Sequence, residues 1–309
     1  MKIKSKILFI TILAYAYSFI SCSTDSTDSV DDSYVVSYYA QNGIICQSVA
    51  VHGDYLFYVS DGRSVISLYH LKSKTLLCSK DLKGGTRELY HSNQASFGVD
   101  YYASDDIFPL LYISQRSNKE GRCFTEVFRI LPSRDDNSMV ISTFDVKLVQ
   151  TIYYPVMSET NSLGNVNTVI DHENRLMYAY SRNNNKQETN YGMCKISCFK
   201  IPEVYQNEVY LEDIDIIDSY MLPCSAINMQ GGCIKNGKLY IGQGSYSAGY
   251  ILFNIVDLVD RQLEKQVDLI QQGFSEEPEG CFWYDGSPMI STASGNIWRI
   301  EEIVSNNKK

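Results

Sequence analysis

One phrase occurs five times along this chain, and the recurrence constrains the fold more than any other feature. Each copy has a polar start, an apolar strand, a turn built from His, Asn, Asp or Gly, and a second strand of apolar and aromatic residues. The copies begin at Gln47 (QSVAVHGDYLFYVSDG), Gln94 (QASFGVDYYASDDIFPLLYIS), Val166 (VNTVIDHENRLMYAYSR), Met229 (MQGGCIKNGKLYIGQG) and Glu279 (EGCFWYDGSPMISTASG). Their second strands hold Leu56-Phe57, Leu111-Tyr112, Met177-Tyr178 and Leu239-Tyr240, at steps of 55, 66 and 62 residues. Repetition at this spacing with a period of two inside each unit points to a β-repeat architecture.

Each phrase leads into a third strand, expected at Val65–Lys72, Glu126–Leu131, Cys194–Ile201, Tyr250–Asp257 and Asn296–Glu301. Most are followed by a fourth, at Thr75–Leu82, Ser138–Val146, Ile214–Leu222 and Lys265–Ile270. Four antiparallel strands in ~40–65 residues are the unit of a β-propeller. The fifth repeat ends after its third strand, and the unassigned strand Tyr34–Tyr39 (YVVSYY) supplies the missing edge. The expected fold is therefore all-β, a five-bladed propeller whose N-terminal strand closes the last blade. Six blades are the alternative, because the second and third repeats are long. A Greek-key sandwich would alternate too, but it would not repeat one phrase. Asp257–Ile270 (DLVDRQLEKQVDLI) alone carries a helical pattern, in competition with two strands and a turn.

Before the repeats stands an address. Lys2, Lys4 and Lys6 precede a 14-residue apolar run, Ile7 to Ile20, which ends at Ser21-Cys22. At ~1.5 Å per residue the run reaches roughly 21 Å, short of the ~30 Å hydrocarbon core, so it reads as a signal peptide and not an anchor. Phe19-Ile20-Ser21-Cys22, with Phe where Leu is usual, resembles a bacterial lipoprotein box, which implies acylation of Cys22 and a lipid-anchored membrane partner. Residues 22–33 are nearly all Ser, Thr and Asp and read as a solvated tether. The expected organisation is thus signal peptide 1–21, tether 22–33 and one propeller domain 34–309. The acidic tether resembles the export signal of Bacteroidetes lipoproteins, which implies the outer membrane, surface-exposed or else facing the periplasm. Together with DYLFYVSDG around Leu56-Phe57 and the segment Glu277-Pro-Glu-Gly280, the chain resembles the β-propeller lipoproteins of gut Bacteroidetes. That resemblance implies fold and location and no chemistry.

Charge excludes one class of partner. With 36 acidic and 27 basic side chains the formal charge is -9, the wrong sign for a phosphate backbone, so no nucleic acid is expected. A monomer is expected.

The inner-strand starts carry the candidate site. Gln47, Asn93 with Gln94, Asn165 with Asn167, Asn228 with Gln230, and Glu277 with Glu279 recur at matching places, and His91 enters the same strand as Asn93. In a closed propeller they converge on one channel mouth, as a ring of amides and carboxylates that suits a small polar ligand or a glycan. No cofactor is required. Such an oxygen set can also hold a hard cation such as Ca2+. The expected function is a non-catalytic binding module, with an assembly scaffold as the alternative. A glycoside hydrolase is the second alternative and needs Glu279 near Asp100, Asp105 or Asp106 in an open pocket.

Other constellations read as structure. His52 (VHGD) and His172 (DHEN) occupy the same turn of two repeats and read as solvated turn residues; His70 reads as a sheet-surface residue. Cys194 and Cys198 lie about 13 Å apart along one strand, too far for a disulfide or a shared metal. Cys46, Cys233 and Cys281 read as free and buried in first strands. Gly232–Leu239 lacks the Ser/Thr of a P-loop, and Ser245–Gly249 lacks the helix of a nucleophile elbow. Among the tyrosines, Tyr101-Tyr102, Tyr153-Tyr154 and Tyr246 are the candidates for ligand stacking.

Overall fold

Adjacent residues on a strand point to opposite faces, so a run such as Leu56-Phe57-Tyr58-Val59 needs cover on both sides. The computed structural model describes residues 34–41, 43–60, 65–81, 92–134, 141–156 and 165–302, and in it every sheet is covered on both faces by its neighbours. The expected leader, Cys22 and the tether lie outside the described residues, as does His91.

Five antiparallel sheets make a five-bladed β-propeller. Blade 1 comprises β2 (Ser48–His52), β3 (Tyr55–Val59), β4 (Val65–His70) and β5 (Thr75–Asp81). Blade 2 has β6 (Gln94–Phe97), β7 (Leu111–Lys119), β8 (Arg122–Arg134) and β9 (Ile141–Tyr153). Blade 3 has β10 (Asn167–Asp171), β11 (Leu176–Arg182), β12 (Met193–Lys200) and β14 (Ile216–Ser225). Blade 4 has β15 (Met229–Lys235), β16 (Lys238–Ser245), β17 (Tyr250–Asp257) and β18 (Gln262–Asp268). Blade 5 joins β19 (Pro278–Tyr284), β20 (Ser287–Thr292) and β21 (Ile297–Glu302) to β1 (Tyr34–Ala40). The long second repeat spends its extra residues on the loop after β6 and on 13-residue strands, and the described residues form no sixth sheet. The competing helical reading of Asp257–Ile270 yields to a turn followed by β18, with Arg261 in the left-handed region at φ 56°.

Closure falls where the sequence placed it. β1 pairs antiparallel with β21 from Tyr34↔Glu302 to Ala40↔Ile297. One strand is an addition: β13 (Glu208–Tyr210), from the connection between β12 and β14, lies parallel to Thr151–Tyr153 on the outer edge of blade 2. The Gln150 side chain holds that connection by donating to the carbonyls of Glu203 and Gln206 at 2.8 and 3.2 Å.

The core is five wedges, one between each pair of blades. On β3, Phe57 and Val59 enter the wedge shared with blade 2, while Leu56 and Tyr58 enter the one shared with blade 5. On β11, Met177 and Ala179 face blade 2, while Tyr178 and Tyr180 face blade 4. Tyr58, Tyr69, Tyr112, Tyr154 and Tyr180 are all fully buried, so most of the tyrosine excess is packing. The eight described cysteines are free thiols, most of them buried; Cys46 sits just before β2 and not within it. Glu276 locks the last hairpin: its carboxylate accepts from Thr292, Ser294, Asn296 and Trp298. Burial alone would raise its pKa, but those donors outweigh burial and hold it below the usual carboxylate value.

Removing residues 34–40 should strip the cover from β21 and the buried face of Tyr34, lowering the unfolding midpoint by on the order of 10 °C and promoting aggregation through the bared edge. Differential scanning calorimetry and light scattering check this; a monomeric deletion variant with an unchanged midpoint contradicts the closure.

Candidate functional site

Each blade's innermost strand is a sheet edge, and the five edges β2, β6, β10, β15 and β19 contact one another in a ring around the axis. Among the described residues no strand pairs with their outward N–H and C=O groups, and side chains of the preceding blades supply partners. Ser114 Oγ accepts from the Thr168 amide at 2.8 Å and Ser96 Oγ from the Ile170 amide at 3.2 Å. All five strands run in the same direction along the axis. The ring therefore has an amide end, at the strand starts, and a hairpin end, at the turns into the second strands.

At the amide end the side chains bind each other. Gln47 Nε2 donates to Glu279 Oε2 at 2.8 Å and lies 3.4 Å from Asn93 Oδ1, linking blades 5, 1 and 2. Gln94 crosses the axis from blade 2 to blade 4: its Nε2 donates to the Gly232 carbonyl at 3.0 Å, and its Oε1 accepts from the Gly232 amide at 2.5 Å. Tyr180 donates to the Gln230 carbonyl at 2.6 Å and bonds the Asn167 side chain. Gln230 Nε2 lies 3.4 Å from Glu277 Oε1. Bulges between Met229 and Gly232 and between Pro278 and Gly280 turn these starts inward. Close approach requires the glycines: a Cβ on Gly231 would sit 2.9 Å from the Glu279 carbonyl oxygen, and one on Gly232 2.7 Å from that of Tyr240.

Of the predicted residues, Gln47, Gln94, Asn167, Gln230 and Glu279 are thus buried at this end, with Asn93 half-buried and Glu277 exposed at its margin. Asn165 and Asn228 stand apart, both exposed; Asn228 adopts φ 54° and bonds Tyr250. Among the described residues no group of three or more His, Cys, Asp or Glu side chains is arranged to hold a metal ion. Glu279 is at the strand start, whereas Asp100, Asp105 and Asp106 follow the far end of β6. The two sets of acids are therefore at opposite ends of the channel. Asp100 pairs with Arg175 at 2.6 Å and Asp106 with Arg129 at 2.7 Å.

The hairpin end is open. There all five inner strands line a cavity of about 410 Å3, with Gly232 among its walls. Its rim carries His52, His172, Glu173, Lys235, Trp283 and Asp285. Lys235 pairs with Glu173 at 3.1 Å and Asp285 with Arg299 at 2.8 Å. His172 donates from Nε2 to the Phe97 carbonyl at 2.8 Å, which fixes its tautomer. His52 is half-buried, edge-on to Phe97 and Phe108 at 5.8 Å, and is not the solvated turn residue expected; burial, then the nearby His172, lowers its pKa below the usual 6.5. His70 is exposed and bonds Ser73 Oγ at 2.7 Å. The cavity residues escaped the sequence reading, although a His in the same turn of two repeats was their signal.

No family model matches the chain, and no curated protein does. Among solved structures the chain is similar to a glutaminyl cyclase from Myxococcus xanthus, at 12% identity over 87% of this chain and 96% of that one, with a TM-score of 0.48. It is also similar to a glucose dehydrogenase (12%, 86% and 98%, TM-score 0.44) and to a luciferin-regenerating enzyme (9%, 88% and 96%, TM-score 0.46). Likenesses this remote carry no argument about chemistry; the class, a five-bladed β-propeller, rests on the strand pairing itself.

The His52 ring favours its neutral form when folded, so its contribution to stability is complete above the unfolded pKa of about 6.5 and is lost as pH falls below that value. Lowering the pH from 7.5 to 5.5 should therefore reduce the midpoint of the native chain more than that of His52→Gln. Equal pH slopes in calorimetry contradict this placement.

Proposed function

We propose that the chain is a non-catalytic binding module that holds a small polar ligand or a glycan unit at the open mouth of its central channel, at the end away from the amide network. The observation that carries the reading is the asymmetry of the channel. One end spends its polar side chains on one another, and the other holds a cavity of about 410 Å3 lined by two histidines, a lysine, the carboxylates of Asp171, Glu173 and Asp285, and the ring of Trp283. Donors and acceptors of both charges beside one aromatic ring suit a compact polar ligand better than an apolar one. The rim carboxylates are already engaged, Glu173 with Lys235, Asp285 with Arg299, and Asp171 with the amides of Glu173 and Asn174. Glu279 is held by Gln47 at the closed end. A glycosidase needs two acids free to face one bond, so this arrangement favours binding over hydrolysis. Acylated Cys22 and the acidic tether would hold this module on the outer membrane, facing outward. Ca2+ remains the cation to try.

The test is thermal unfolding of the purified protein against monosaccharides, glycan fragments, nucleotides, Ca2+ and EDTA. A ligand at 100 times its dissociation constant adds about 2.7 kcal/mol, a shift of several degrees. The apparent affinity should fall at least tenfold in the double variant His172→Ala, Lys235→Ala. A panel without any shift, or a shift that the double variant leaves intact, contradicts the reading. Mass spectrometry of the membrane-extracted protein checks the anchor: a diacylglycerol-modified Cys22 is expected, and an unmodified thiol there rejects it.

A further inference from the structure

A second concave surface lies at the hairpin end, between blades 2 and 3. It is a groove of about 760 Å3, bounded by the loop after β6 on one side and by residues 174–176 and 200–205 on the other. Of the seven exposed tyrosines among the described residues (Tyr38, Tyr101, Tyr102, Tyr191, Tyr205, Tyr210 and Tyr246), three line this groove, with exposures of 46, 44 and 73% for Tyr101, Tyr102 and Tyr205. Most other tyrosines are buried, so this clustering is not the background of a tyrosine-rich chain.

We propose that this groove is a carbohydrate-binding site, in which the tyrosine rings stack on pyranose faces and Asp100, Asn174 and Arg175 bond the hydroxyls. The proposal does not rest on the central cavity. Both walls are built in advance of any ligand. Asp106 clamps Arg129 through bonds of 2.7 and 3.0 Å and caps the Ala103 amide at 3.0 Å, and the Arg129 guanidinium lies 4.9 Å from the centre of the Tyr102 ring. The opposite wall is anchored by Gln150, which holds the Glu203 and Gln206 carbonyls, and by Val204, which packs in the wedge between the two blades. Tyrosines on such walls offer rigid area at low entropic cost, the condition for stacking a ring that itself brings little hydrophobic surface.

The charges choose among ligands. Asp100 and Glu203 are balanced by Arg175 and Lys200, with Asp100 and Arg175 paired at 2.6 Å, so the groove is formally neutral and offers no excess of cations to a phosphate or a sulfate. A neutral polyol presents both donors and acceptors, matching carboxylate, amide and guanidinium together. A proline-rich peptide, the other ligand that seats in tyrosine grooves, offers few donors to Asp100 and Glu203.

Isothermal titration of the full chain tests this, using tetra- to hexasaccharides of β-1,4-glucan, α-1,4-glucan, β-1,4-xylan and α-mannan, with a proline-rich decapeptide alongside. One of the oligosaccharides should bind, and the double variant Tyr101→Ala, Tyr205→Ala should weaken it at least tenfold. Both rings are exposed, so the midpoint of unfolding should not change, which separates loss of binding from loss of fold. Tyr246→Ala, at the opposite end and outside both cavities, should bind as the parent does. Oligosaccharide binding that survives loss of both tyrosines but disappears in the cavity variant His172→Ala, Lys235→Ala overturns the groove while leaving the cavity reading standing. Binding of the peptide alone, or of nothing in the set, also overturns it.

Discussion

Five sheet edges facing one axis are the constraint on which the rest of this structure depends. An inner strand has one hydrogen-bonding edge inside its blade and another pointing into the channel, where no further strand of the described residues pairs with it. Leaving such groups buried and unpaired costs about 1–3 kcal/mol each. The chain meets the demand with serines and amides that reach between blades. Ser96 and Ser114 serve blade 3, while Gln94 passes over blade 3 to serve both backbone groups of Gly232. That last contact closes the amide end, and the closure puts the width of the channel at the opposite end.

The second constraint is that a blade has no solvent face. Each sheet is packed on both sides, so its middle strands carry apolar residues at every position instead of every second one. This explains Leu56-Phe57-Tyr58-Val59 and the equivalent runs, whose neighbours in sequence are split between different wedges. It also explains the tyrosines. The aromatic body fills a wedge, and the hydroxyl finds a partner on the innermost strand of the next blade, as Tyr154 does with Thr168 and Tyr180 with the Gln230 carbonyl.

These two constraints determine what could be read from the sequence. The blades were legible because double-sided burial leaves the same dense phrase in every repeat, and β1 was legible as a strand with no blade of its own. β13 was not: three residues with two exposed ends carry no pattern, and their pairing depends on Gln150, more than fifty positions away. The polar starts of the inner strands were legible as one set, yet nothing in a period of two says whether such residues face solvent or each other. The available clue was Gly231-Gly232 directly after Gln230, a pair of glycines inside a strand, which marks backbone approached at close range. The open end was hidden because its residues sit in turns, where His52 and His172 look like ordinary solvated positions. Only the ring places them around a shared space.

Gln94 plugs the channel by bridging to Gly232, and amide hydrogen exchange tests this most directly. In the native chain the Gly232 amide should exchange as slowly as the core of β16, and Gln94→Ala should release it selectively while β16 stays protected. Exchange of Gly232 at the rate of an exposed loop in the native chain would show that the amide end is open and that Gln94 is no plug.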